Sequence, residues 1–186
     1  MKKIILSLAI ITSTLTANAQ GSNVVKINPL SLVFSTINLS YERLISNNVS
    51  LQLQGIYFGA KISDTKLVGL GISPAVRFYL SDEESALSGL YVSPFLRYGK
   101  YTYDTDITTS STSQSTEVDY TTIGGGFDFG YQVVTDSGFI FEAFLGARYA
   151  NGKTDIRTDG VNEDDINSVD FDGILPRFGL KLGYSF

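Results

Sequence analysis

The residues of this chain best able to do chemistry are charged ones that alternate with oily neighbours. Lys26, Glu42, Arg77, Arg97, Asp128, Glu142, Arg148, Arg177 and Lys181 all fall in the polar phase of segments whose other phase is largely apolar. Carboxylates and cations held together away from water could exchange protons, pass ions, or neutralise one another. Proton exchange lacks its usual parts: the chain has no histidine and no cysteine, and a serine nucleophile is ordinarily activated by an imidazole. No catalytic residue is assigned, and the chain is read as not an enzyme. Neutralisation is the plainest outcome, because buried charges must be paired. It predicts a network of salt bridges that fills and stiffens an interior, with Asp128, Glu142, Arg148 and Arg177 close together on consecutive strands. Ion passage is the functional alternative.

Two other groupings invite chemistry and carry less. Gly124-Gly125-Gly126 lacks the Lys-Ser/Thr ending of a phosphate loop and sits inside a strand pattern, so close packing explains it. Asn162, Glu163, Asp164 and Asp165 offer oxygen ligands but not the spacing of a calcium loop, and read as a solvated acidic segment. No metal site and no cofactor is assigned.

The elements that must position the charges are strands. In a strand, successive side chains point to opposite faces. Near the C-terminus, Phe178, Leu180, Leu182, Tyr184 and Phe186 share one face, and Arg177, Gly179, Lys181, Gly183 and Ser185 the other. The same division recurs along the chain and predicts eight strands over 23–33, 36–45, 48–62, 66–80, 89–104, 116–134, 138–156 and 171–186. The first is the least regular, because it contains Pro29, and proline belongs at edges, ends and bulges. Connections at 46–48, 81–88 and 135–137 read as compact turns, and 105–115 and 157–170 as long flexible loops.

A soluble sandwich would also alternate, with its polar face in water. Here the polar face carries Gly69, Gly71, Gly99, Gly124, Gly126, Gly130, Gly146, Gly179 and Gly183. Glycine weakens an exposed sheet, but it makes room in an eight-stranded barrel, whose interior just holds its side chains. Segments of 14 residues or more exceed the ~5–6 usual in soluble strands and suit a tilted membrane crossing. Tyr41, Tyr57, Tyr98, Tyr131, Tyr149, Tyr184 and Phe186 lie toward strand ends, where aromatic girdles sit. The expected fold is therefore all-β: an eight-stranded antiparallel up-and-down transmembrane β-barrel.

The first residues look like an export signal. Lys2 and Lys3 precede an apolar run from Ile4 to Leu15, and Ala17-Asn18-Ala19 has the form of a cleavage site. The expected organisation is a signal peptide over 1–19 and one barrel domain over 20–186. The chain is acidic, with a formal net charge of −5, which argues against nucleic acid as a partner. Without cysteine, neither disulfides nor lipoprotein acylation is expected.

The C-terminal pattern of Arg177, Gly179, Leu182, Tyr184 and terminal Phe186 resembles the sorting signal of bacterial outer-membrane proteins. The runs Leu39-Ser40-Tyr41-Glu42-Arg43 and Tyr91-Val92-Ser93-Pro94-Phe95-Leu96-Arg97-Tyr98 resemble the small outer-membrane β-barrel proteins common in Bacteroidota, relatives of OmpA-like and OmpX-like barrels. That resemblance implies an integral, multi-pass Gram-negative outer-membrane barrel with periplasmic termini and a structural or surface-interaction role. Its implied partners are outer-membrane lipid and lipopolysaccharide (LPS), the barrel assembly machinery through the last strand, and an extracellular ligand at loops 105–115 and 157–170. Two alternatives stay open: a porin-like narrow pore for small solutes or ions, and a soluble periplasmic ligand-binding barrel.

Overall fold

A computed structural model of the chain describes residues 22–62, 65–80, 87–109, 112–158 and 171–186. The signal segment 1–19 and the acidic residues Asn162 to Asp165 lie outside the described residues. Eight strands run in chain order: β1 (Asn23–Ile27), β2 (Thr36–Ser46), β3 (Val49–Ile62), β4 (Thr65–Tyr79), β5 (Gly89–Thr109), β6 (Thr112–Val134), β7 (Phe139–Thr158) and β8 (Phe171–Ser185). Each pairs antiparallel with its sequence neighbour, and β1 closes the barrel against β8. The expected fold class holds.

Side-chain parity decides the two faces. Leu70, Leu96, Ile123, Leu145 and Phe178 point outward and are each more than 60% exposed. Residues of the opposite parity on the same strands, Gly69, Ser93, Thr122, Glu142 and Lys181, are buried on the inside. Inward glycine makes room for large partners: a Cβ on Gly130 would overlap the phenol of Tyr91, which is itself 2% exposed. The β2–β3, β4–β5 and β6–β7 turns lie at the same end as both termini, as alternation of direction requires. At that end Val24, Tyr79, Leu87, Tyr91, Ile140 and Phe144 form an apolar cluster.

Two expectations are corrected. The first strand stops at Ile27 rather than 33, and Pro29–Phe34 form a 3-10 helix. Pro29 sits at its start, where a missing N–H costs nothing. Asn28 caps it by accepting from Ser31 N at 3.3 Å, and Ser35, at φ 53°, ends it. The loop expected over 105–115 is mostly strand: β5 and β6 stay paired from Thr105↔Thr116 out to Thr109↔Thr112. A Ser/Thr-rich stretch is polar, but threonine is β-branched and favours extended backbone.

Three of the four prolines, Pro74, Pro94 and Pro176, lie in strands and mark where the wall is thin. Hydrogen bonds alternate in direction along a strand. Leu80 N donates to Leu90 O at 2.7 Å, across the β4–β5 seam, while Tyr79 N donates to Asn48 O on the other side. By that parity Pro74 and Pro94 both remove a donor from the same seam. The observed register agrees: between Ile72↔Tyr98 and Phe78↔Val92 only Ala75↔Phe95 is paired. The Leu96 carbonyl, which would have met the Pro74 amide, accepts from Ser73 Oγ at 2.7 Å instead.

Pro176 marks the second thin place. Ser185 N donates toward β7, to Gly138 O, and Phe186 N donates toward β1, to Asn23 O. Even-numbered residues of β8 therefore face β1, Pro176 among them. But β1 ends at the Ile27↔Leu182 pair, so Pro176 lies where no β1 residue remains to receive a donor. The 3-10 helix packs into this interval, against β2 and β8.

Candidate functional site

All nine charges singled out from the sequence point into the barrel, but they form two groups rather than one. The first is a plug near the termini. Parity brings Lys26 from β1, Glu42 from β2, Arg77 from β4, Glu142 from β7 and Lys181 from β8 to one level, where all are at most 3% exposed. Lys26 Nζ donates to Glu42 at 2.5 Å, to Glu142 at 2.6 Å and to Gln132 Oε1 at 2.7 Å. Arg77 grips Glu142 through Nη1 at 3.0 Å and Nη2 at 2.8 Å, and reaches Glu42 at 3.3 Å. Lys181 Nζ donates to Glu142 at 2.9 Å.

Neutral groups complete the plug, and sequence reasoning had not assigned them to it. Tyr79 donates to Glu42 at 2.7 Å, Tyr91 to Glu142 at 2.6 Å, and Ser50 to Glu42. Gln132 also donates to the Leu87 carbonyl at 2.8 Å, tying the plug to the β4–β5 turn. The Arg77 guanidinium lies 4.2 Å over the Tyr91 ring. The signal for each was strand parity: Ser50, Tyr79, Tyr91 and Gln132 share the inward phase with the charges. Carboxylates satisfied by this many donors hold their charge without water. The arrangement fills this level of the barrel, with Glu42 and Glu142 each held by several donors.

The second group forms a chamber above the plug. Arg177 pairs with Asp128 at 3.2 Å and stacks 3.8 Å over Phe95. Arg97 donates to the Tyr101 hydroxyl at 3.2 Å. Arg148 on β7 lies two strands from Arg97 on β5, with β6 between them, close enough for their charges to repel. Among the described residues neither Arg97 nor Arg148 has a carboxylate partner. This corrects the expected cluster of Asp128, Glu142, Arg148 and Arg177: Glu142 is drawn into the plug, and one carboxylate remains for three guanidiniums. Strand pairing fixed the neighbours, but height along the barrel axis, set by register, separated them.

The C-terminal residues divide by the same parity. Arg177 and Gly179 face inward, while Leu182 and Tyr184 face outward, with Tyr184 edge-on to Phe139 at 5.7 Å. Phe186 exchanges two backbone hydrogen bonds with Asn23, at 2.8 and 3.2 Å, and so completes the closure at the end bearing the termini.

Closed eight-stranded antiparallel sheet, apolar outside and ionic within, defines the class of protein: a small up-and-down β-barrel of the membrane type in its wall chemistry. The chain belongs to the family described as Protein of unknown function (DUF3575), whose model matches residues 4–157. Its fold is similar to the translocator domain of the autotransporter NalP from Neisseria meningitidis, with a TM-score of 0.53 and 14% identity over 97% of this chain and 68% of that one. Weaker similarities reach the N-terminal β-barrel domain of Pseudomonas aeruginosa OprF, with a TM-score of 0.40 and 15% identity over 91% of this chain and 100% of that one. Acinetobacter baumannii CarO gives a TM-score of 0.44 and 10% identity over 90% of this chain and 98% of that one. No curated protein matches the chain.

Proposed function

We propose that this protein is an integral barrel of a Gram-negative outer membrane, without enzymatic activity, whose lumen is shut by the ionic plug and whose role is structural or surface-interactive. The observation that carries the reading is the inverted polarity of the wall: Leu145 and Phe178 are 66% and 64% exposed while Lys26 and Glu42 are wholly buried. In water an apolar surface drawn from every strand would far exceed the few hundred Å² that monomers normally expose. In hydrocarbon the same surface is matched, and barrel closure spares the several kcal/mol that each unpaired backbone group would cost.

On this reading residues 1–19 are an export signal removed after Ala19, and the even strand number puts both termini in the periplasm. The last strand, ending in Phe186, is what the barrel assembly machinery would recognise, and lipid with lipopolysaccharide would surround the wall. The long β5–β6 hairpin extends to the end opposite the termini, which on this reading is extracellular, and a surface ligand would be met by the segments 105–115 and 157–170, of which 159–170 lie outside the described residues.

Fractionation of cells tests the assignment. The protein should stay with outer membranes through alkaline washing and leave only with detergent; release without detergent would favour a soluble periplasmic barrel. Planar-bilayer recording tests the plug. A silent bilayer is expected from the refolded barrel, and stable conductance steps would instead support the narrow pore.

A further inference from the structure

The interval that β1 leaves open beside β8 leads into the cationic chamber. A cavity of about 430 Å³ runs through the wall there, within the ~300–1,000 Å³ that small-molecule sites occupy. On the lumen side it is lined by Arg97, Arg177, Asn38 and Gln54. On the outer side it is lined by Phe34 of the 3-10 helix and by Pro176 and Phe178 of β8, all exposed. Its inner end is cationic and polar, and its outer end is apolar and opens where lipid would lie.

The inner end is also incompletely satisfied. Arg97 Nε, Arg177 Nη1 and Asn38 Oδ1 are buried with no hydrogen-bond partner, and buried polar groups are ordinarily paired. Arg97, Arg148 and Arg177 repel one another in a chain whose net charge is −5. Gathering three like charges in a partly buried chamber with Asp128 as the one carboxylate is costly unless a further anion joins them.

We infer that this cavity binds a single-chain anionic amphiphile, a long-chain carboxylate, with its head on Arg97 and Arg177 and its tail leaving between Phe34 and Phe178. The tail's destination in lipid rests on the membrane reading; the head site does not. Planar carboxylates suit guanidinium groups, which offer paired donors. The wall can part for the tail here because β1 supplies no ladder partner and Pro176 supplies no donor.

The test is equilibrium binding of an anthroyloxy-labelled long-chain carboxylate to the full mature chain refolded in non-ionic detergent. Saturable binding is expected, with hexadecanoate displacing the probe and its methyl ester and acetate failing to do so. Arg97→Gln removes a cation that has no carboxylate partner, so it should weaken hexadecanoate about tenfold or more while the unfolding midpoint holds or rises. Displacement by the methyl ester as strong as by the acid would overturn the proposal, as would displacement by acetate as strong as by hexadecanoate, absence of saturable binding, or undiminished affinity in R97Q. Should R97Q not refold, Phe34→Ser, at an exposed position on the tail's path, decides: it must weaken hexadecanoate and leave octanoate unchanged, and equal effects on both refute the tail route. A protein that fractionates without detergent yet binds hexadecanoate this way would sink the membrane reading and not this one.

Discussion

Arg77 holds Glu142 with both terminal guanidinium nitrogens, at 3.0 and 2.8 Å, across the axis of the barrel. Three cations share two carboxylates at this level, so the members of the plug are not equivalent. Glu142→Gln leaves Arg77, Lys26 and Lys181 facing Glu42 alone, and should cost about 3–5 kcal/mol, as breaking a buried pair does. Lys181→Met removes the surplus cation while Lys26 and Arg77 still neutralise both acids, and should cost no more than about 1 kcal/mol, the scale of one net hydrogen bond. Urea unfolding in lipid vesicles checks the ranking; equal losses would mean that the plug is not organised around its carboxylates.

The paired prolines make a prediction about opening. Pro74 and Pro94 face each other's strands, and Ser73 Oγ substitutes for one missing amide at the Leu96 carbonyl. Amides of residues 72–78 that face β5 should exchange hydrogen faster than those on the β6–β7 seam, which is paired without interruption from Thr116↔Thr158 to Val134↔Ile140. Uniform protection around the barrel would show that the seam is no weaker than the rest. Ser73→Ala, which strips the substitute donor from Leu96 O, should widen the difference.

Close approach between strands sets a third expectation. A Cβ on Gly126 would run into the Ala147 carbonyl, part of the backbone, whereas the nearest atom to one on Gly55 lies 3.9 Å away. Gly126→Ala should therefore reduce the yield of folded barrel sharply, and Gly55→Ala should leave it unchanged. Heat-dependent gel mobility of the refolded variants reads this directly, and indistinguishable yields would contradict it.

Much of the barrel was legible in the sequence because strand periodicity is a local property. Five of the eight strands, β2, β3, β4, β7 and β8, begin and end within two residues of where alternation puts them, and the same parity sends every charge of the plug and chamber inward. Two errors came from treating polarity or length as structure. Pro29 forced a 3-10 helix where apolar residues continued, since Leu30, Leu32 and Val33 look as much like a strand as a turn. The threonines beyond Thr105 extended a hairpin where composition suggested a loop. Which charges meet was legible only in part: Asp128 and Arg177, expected together, do pair at 3.2 Å, but Glu142 was expected with them and joins the plug instead. That depends on register, and the offset between β7 and β8 that pairs Glu142 with Lys181 and Gly146 with Arg177 has no local signature.

The outward face supplies a fourth prediction. Leu145→Arg should destabilise the protein in lipid vesicles by about 2–4 kcal/mol if it lies near the bilayer midplane. Ser93→Ala, on the inner face of β5, should change stability by less than about 1 kcal/mol. Similar small effects at both would argue that Leu145 meets water.

The orientation of the wall is tested most directly by quenching. The chain contains no cysteine, so single cysteines at Leu70, Leu145 and Phe178, and at Ser93 and Thr122, can each carry a fluorophore without side reactions. In vesicles, lipid-borne nitroxides should quench the first three strongly and the last two weakly, while aqueous iodide should barely reach the first three. Strong iodide quenching at Leu145 and Phe178, with no response to the lipid-borne quencher, would contradict the account.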